Sequence, residues 1–98
     1  MCSILLVCAG GFSTSMLLQK MQKAADEQGV RVQIEACGTG DVSYFKHYDI
    51  LLLAPQTAHL EEALKEQYHM PILLIDGLDY GSLAGAAVLK KALEKYSE

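Results

Sequence analysis

Two unbroken apolar runs, Ile4-Leu5-Leu6-Val7 and Ile50-Leu51-Leu52-Leu53, restrict this chain more than any other feature. A strand with one wet face alternates apolar and polar residues, so a run without alternation needs cover on both faces. Ser3 to Cys8 and Ile50 to Ala54 therefore read as interior strands, with helices above and below them. Val30, Val32, Ile34 and Ala36 alternate with Arg31, Gln33 and Glu35, which suits a strand at a sheet edge. Ile72 to Ile75, opened by Pro71, supplies a fourth strand.

The segments between these strands carry a helical period. Met16, Leu17, Met21, Ala24 and Ala25 form one stripe, opposite Gln19, Lys20, Gln22, Lys23, Asp26 and Glu27, and Gly29 is a natural stop. Asp41 is placed to cap a short helix carrying Val42 and Phe45. A helix over Thr57 to Tyr68 is expected to turn Leu60, Ala63 and Leu64 inward. A last helix over Ser82 to Tyr96 is expected to bury Leu83, Ala86, Leu89, Leu93 and Tyr96.

Strands alternating with helices define an α/β fold, and right-handed crossovers make it a four-stranded parallel sheet with helices on both faces. The edge pattern of the second strand and the covered patterns of the first and third give the order 2-1-3-4. With 98 residues, about half of them hydrophobic, the chain suffices for one domain spanning residues 1–98 and not for two.

Several function classes drop out at this point. No apolar stretch approaches the roughly 18 to 20 residues that span a bilayer, and the N-terminus lacks the basic lead of a signal peptide. The expectation is a cytoplasmic chain with no direct membrane insertion. The formal net charge is −4, with acids and bases mixed along the helices, so the basic stripe of a nucleic-acid binder is missing. Cysteines stand at positions 2, 8 and 37 without a C-x-x-C pair, which argues against a disulfide framework or zinc site. No metal or organic cofactor is expected, and ATP has no Walker loop to bind.

In the order 2-1-3-4 the chain leaves the first strand in one direction and returns on its other side. The resulting crevice lies outside the carboxyl ends of strands one and three, the usual ligand position in an open α/β sheet. Cys8 stands at the first of these ends and Pro55-Gln56-Thr57 at the second. After Cys8 come Ala9, Gly10, Gly11, Phe12, Ser13, Thr14 and Ser15, a loop opening a helix. A helix N-terminus offers unpaired N–H groups and partial positive charge, and the serines and threonine add hydroxyl donors. Stabilising a thiolate a hundredfold takes about 2.7 kcal/mol. A helix terminus supplies about 0.3 to 2 kcal/mol of this, so loop amides and hydroxyls have to supply the rest. Cys2, beside the terminus, and Cys37, after an edge strand, lack such a loop and are expected to be inert.

The segment Cys8 to Ser15 resembles the phosphorylated loop of the enzyme IIB components of the bacterial phosphotransferase system, in the lactose/cellobiose (N,N′-diacetylchitobiose) family. Leu53-Ala54-Pro55-Gln56, Ile75-Asp76 and Asp79-Tyr80-Gly81 extend the likeness over nearly the whole chain. The resemblance implies a phosphoryl carrier. Cys8 would accept the group from a phosphohistidine on a IIA protein and pass it to a sugar, a β-linked disaccharide, held by the membrane transporter IIC. It also implies the fold of the low-molecular-weight tyrosine phosphatases. Their loop has an arginine six residues after its cysteine, where this sequence has Thr14, and the next cation is Lys20. Losing that bidentate clamp fits a carrier better than a hydrolase.

Two alternatives remain, a phosphatase-like hydrolase and a non-enzymatic anion-binding regulator. Asp76 and Asp79 are expected to cap and shape the turn before Ser82, without a catalytic role. His47, His59 and His69 are expected at the surface or at element boundaries. Gln56 and Tyr80 are the expected neighbours of the loop, and Phe12 is either a partner contact or a side chain tucked against the sheet.

Overall fold

A computed structural model describes residues 2–9, 12–44 and 47–97, the side chains of Phe12 and Ser13 excepted. The expected architecture is present: β1 (Cys2–Cys8), β2 (Val32–Gly38), β3 (Ile50–Leu53) and β4 (Ile72–Leu74) form a parallel sheet in the order β2-β1-β3-β4. The two strands without alternation occupy the middle. Ile4 pairs with Ile34 on one side and with Ile50 on the other, and the pairing reaches Cys8 opposite Gly38.

Helices cover both faces. On one, Ile4, Leu6, Ile34, Ile50 and Leu52 pack with Leu17, Met21 and Ala25 of α1 (Phe12–Gln28) and with Val88, Leu89 and Ala92 of α4 (Gly85–Tyr96). On the other, Leu5, Val7, Leu51 and Leu53 meet Val42 and Leu64, the latter from α2 (Glu61–Tyr68). Each fully covered leucine or isoleucine contributes about 1.5–3 kcal/mol relative to exposure. The central strands thus anchor the sheet and fix where their carboxyl ends stand. Gly29 ends α1 with φ +70°, the left-handed geometry that glycine adopts without a Cβ clash.

Several local expectations require correction. Met16 is 40 % exposed, outside the stripe that Leu17, Met21, Ala24 and Ala25 bury. The single helix expected from Thr57 is two pieces, a 3-10 turn over Pro55–Leu60 followed by α2. Inside the 3-10 turn Thr57 departs from helical geometry (φ −108°, ψ 15°), and its hydroxyl donates to the Ala54 carbonyl at 2.8 Å, a local bond that competes with helix. Ala63 is exposed, while Leu64 alone of α2 is buried.

The helix expected over Ser82 to Tyr96 begins only at Gly85, as α4, and a separate short helix, α3 (Gly77–Gly81), precedes it. Leu83, at φ 55°, takes the chain through the left-handed region between them. The buried face of α4 is Gly85, Val88, Leu89 and Ala92, so Ala86 and Tyr96 fall on the exposed side. The short helix expected to carry Val42 and Phe45 is a 3-10 turn that starts at Val42, which is buried; Phe45 lies outside the described residues.

Candidate active site

Cys8 is the last residue of β1, and α1 begins four positions later at Phe12. The strand order places this junction at the crevice between the diverging connections of β1 and β3. The thiol is seated rather than protruding, at 4 % exposure, and its Sγ–H donates to the Cys37 carbonyl oxygen at 3.8 Å.

The carboxyl ends of the central strands are fastened to each other just beneath it. Ala54 N–H donates to the Val7 carbonyl at 3.0 Å. The Thr57 hydroxyl, 1 % exposed, reaches the Ala54 carbonyl at 2.8 Å and the Val7 carbonyl at 3.4 Å. Thr57 therefore holds the residue before Cys8 against the end of β3. The sequence carried a signal for it, a threonine three residues after a strand end and two after a proline, a pattern that favours side-chain bonding back to the carbonyl.

Of the loop, Ala9 is exposed, Thr14 is buried at 4 % exposure and Ser15 is exposed. Gly10 and Gly11, and the side chains of Phe12 and Ser13, lie outside the described residues. Thr14 occupies the first turn of α1, and its Oγ1 lies 3.2 Å from the phenolic oxygen of Tyr80. Tyr80 is thus a neighbour of the loop, as expected. Gln56 and His59 are exposed on the 3-10 turn, and no hydrogen bond joins either to the described loop residues.

Asp76 caps α3, its Oδ1 accepting from Leu78 N–H at 2.7 Å. Asp79 caps nothing; its Oδ2 meets Lys91 Nζ at 2.6 Å, and that hydrogen bond raises the Lys91 pKa. His47 and His69 are exposed and adopt left-handed backbone, φ 68° and 51°.

The other thiols are electrostatically quiet. Burial first, then the charges of Asp41 and Cys8, pushes Cys37 up to about 11. Burial and Asp49 raise Cys2 as well. Both therefore stay protonated at neutral pH, in line with their expected inertness. Among the described residues, no helix is long and apolar enough to cross a membrane.

Comparison with known proteins agrees with this geometry over nearly the full length. Residues 3–91 match the family model described as the lactose/cellobiose-specific IIB subunit of the phosphotransferase system. A galactose-specific EIIB component from Lactococcus lactis subsp. cremoris is 38 % identical over 98 residues, covering 91 % of each chain. The solution structure of a cellobiose-specific IIB component from Borrelia burgdorferi superposes with a TM-score of 0.81 at 36 % identity, covering 98 % of this chain and 92 % of that one. A lactose-specific EIICB component from Staphylococcus aureus, a much longer protein, carries a related segment. It is 37 % identical over 65 residues, 65 % of this chain and 11 % of that protein.

Proposed function

Since this chain belongs to the lactose/cellobiose-specific IIB subunits of the phosphotransferase system, we propose that Cys8 is the residue through which it carries the phosphoryl group. As a IIB component it takes part in sugar-specific phosphoryl transfer. Residues 1–98 act as one IIB domain on the cytoplasmic side. The donor is the phosphohistidine of a IIA protein, and the acceptor is a sugar held by a IIC transporter, a β-linked disaccharide. The joint IIC and IIB name of the Staphylococcus relative supports the second partnership.

The observation that carries this reading is the position of Cys8 at the switch point, ending a central strand four residues before the start of a 17-residue helix. In the first half-reaction the Cys8 thiolate attacks phosphorus and a sulfur–phosphorus bond forms. The nitrogen–phosphorus bond of the partner breaks, and the histidine nitrogen keeps its electron pair. In the second, a sugar hydroxyl attacks phosphorus, its proton leaves to a base of the acceptor complex, and Cys8 departs as thiolate.

Phosphoryl transfer demands chiefly alignment and charge stabilisation. The fastening of Val7 to Ala54 and Thr57 supplies the rigid seat. The loop from Ala9 to Ser15, with its amides and hydroxyls, is the proposed phosphate cradle. With Thr14 in the phosphatase arginine position, the cradle lacks a charged clamp and releases its cargo to the next acceptor.

Incubation with phosphorylated IIA is expected to add one phosphoryl mass to the wild type and none to Cys8→Ser. An unmodified wild type, or an equally modified variant, would overturn the assignment. Steady hydrolysis of an aryl phosphate that disappears in Cys8→Ser would instead favour a phosphatase. Phosphate binding unchanged in Cys8→Ala, with no covalent adduct in the wild type, would favour a regulator.

A further inference from the structure

The position that holds arginine in the phosphatases is filled here by a pair of residues. Thr14 is 4 % exposed, and its Oγ1 meets the Tyr80 phenolic oxygen at 3.2 Å across 66 positions of sequence. A hydroxyl has one hydrogen and two lone pairs, and its hydrogen rotates to suit its neighbours. A donor bound to the threonine oxygen leaves that hydrogen for a different acceptor. A phenol, the more acidic O–H of the two, is the natural donor of such a pair.

Tyr80 packs half-buried against the core, and polar contacts hold the short helix that carries it. Its helix α3 is five residues long and has no buried residue of its own. Asp76 caps the helix at 2.7 Å, and the Ser82 hydroxyl donates to the Leu78 carbonyl at 2.7 Å. Lys91 of α4 grips Asp79 at 2.6 Å. These three polar contacts add to that apolar packing in fixing where the phenol stands.

We propose that Tyr80 is a positioning residue for phosphoryl transfer: its O–H donates to Thr14 Oγ1 and so directs the Thr14 hydrogen toward the phosphoryl oxygens on Cys8. The inference rests on the reading of Cys8 as carrier. Neither hydroxyl exchanges a proton in the step. Two hydroxyls in series orient the group without a cation, so the phosphoryl oxygens receive one hydrogen bond from Thr14 in place of the bidentate fork and opposite charge of an arginine. The cradle therefore aligns the phosphoryl group yet yields it readily.

The test uses the full chain, a phosphohistidine-bearing IIA protein, and the variants Tyr80→Phe, Thr14→Val and Thr14→Ser. Tyr80→Phe is expected to slow phosphocysteine formation about 3- to 10-fold, the effect of one neutral hydrogen bond, and to shift the phosphorus resonance of the loaded cysteine. In a Thr14→Val background the same change is expected to have no further effect. Thr14→Ser, which keeps the hydroxyl, is expected to restore sensitivity to Tyr80→Phe. A Tyr80→Phe protein with wild-type rate and resonance overturns the proposal. So does an equal loss in the Thr14→Val background, or lowered thermal stability with the resonance unmoved, which would mark Tyr80 as packing alone. Failure of the wild type to load Cys8 would remove the carrier reading and this inference together, whereas normal loading beside an indifferent Tyr80→Phe removes only the inference.

Discussion

Gly85 rests directly on the backbone of α1: a Cβ at this position would lie 2.6 Å from the Met21 amide nitrogen and closer still to the Lys20 carbonyl carbon. The two helices cross there without room for a side chain. Gly85→Ala is therefore expected to push α4 from α1 and to lower stability by about 1–3 kcal/mol, the usual cost of overpacking. Urea denaturation read by circular dichroism checks this, with a reduced midpoint and unchanged slope as the expected outcome.

His69 gives the opposite sign. It ends α2 with φ 51° and ψ 37°, a conformation that costs a residue bearing a Cβ about 1–2 kcal/mol, and its side chain is exposed. Replacement by glycine removes that strain and gives back part of the gain through unfolded-chain freedom. His69→Gly is expected to raise stability by about 0.5–1 kcal/mol, measured in the same urea titration.

Cys37 makes stability depend on alkaline pH. In the folded chain it keeps its proton up to about pH 11, whereas an ordinary thiol in the unfolded chain begins to lose it near pH 8.5. Between those values the unfolded state binds fewer protons, so stability falls as pH rises. Tyr48, pushed up to about 12 chiefly by burial, extends the decline. Cys37→Ala is expected to flatten the fall between about pH 9 and 11 and to leave the slope below pH 8 unchanged, as denaturant midpoints across that range will show.

Asp76 separates a cap from an acid catalyst. Its carboxylate accepts from Leu78 N–H, and Asn performs that task equally well. Asp76→Ala is expected to lose about 0.5–2 kcal/mol, while Asp76→Asn keeps both stability and the rate of phosphoryl uptake from IIA. A large drop in that rate for the asparagine variant would show that the proton matters.

The sheet was legible because its signal is local. Ile4 to Val7 and Ile50 to Leu53 announce double cover within four residues each, and the order of the strands follows from them. The phase of α4 was not legible, because its buried face includes Gly85, whose role is close approach and which no apolar count includes. The break before it was hidden as well, since Leu83 is a leucine in a conformation that usually belongs to glycine. At the site, the stretch from Cys8 to Ser15 could be singled out because strand end, glycines and hydroxyls are consecutive. Tyr80 could be suspected from the family pattern alone; its contact with Thr14 joins residues 66 apart, a distance at which periodicity carries no information. Thr57 was placed at the end of the third strand but given no role, because its segment reads as the start of a helix and its bonds to Val7 and Ala54 are a matter of side-chain geometry.

Between Cys8 and Gln19 the sequence has no lysine, arginine or histidine. On the proposed route the chain, of formal charge −4, takes on about two further negative charges beside a stretch of sequence that offers no cation of its own. The loaded and empty molecules present different electrostatic faces to the same partner. The donor that has yet to give up its group and the acceptor that awaits it therefore meet different charges at the same place, and the cargo itself marks which of them is due next.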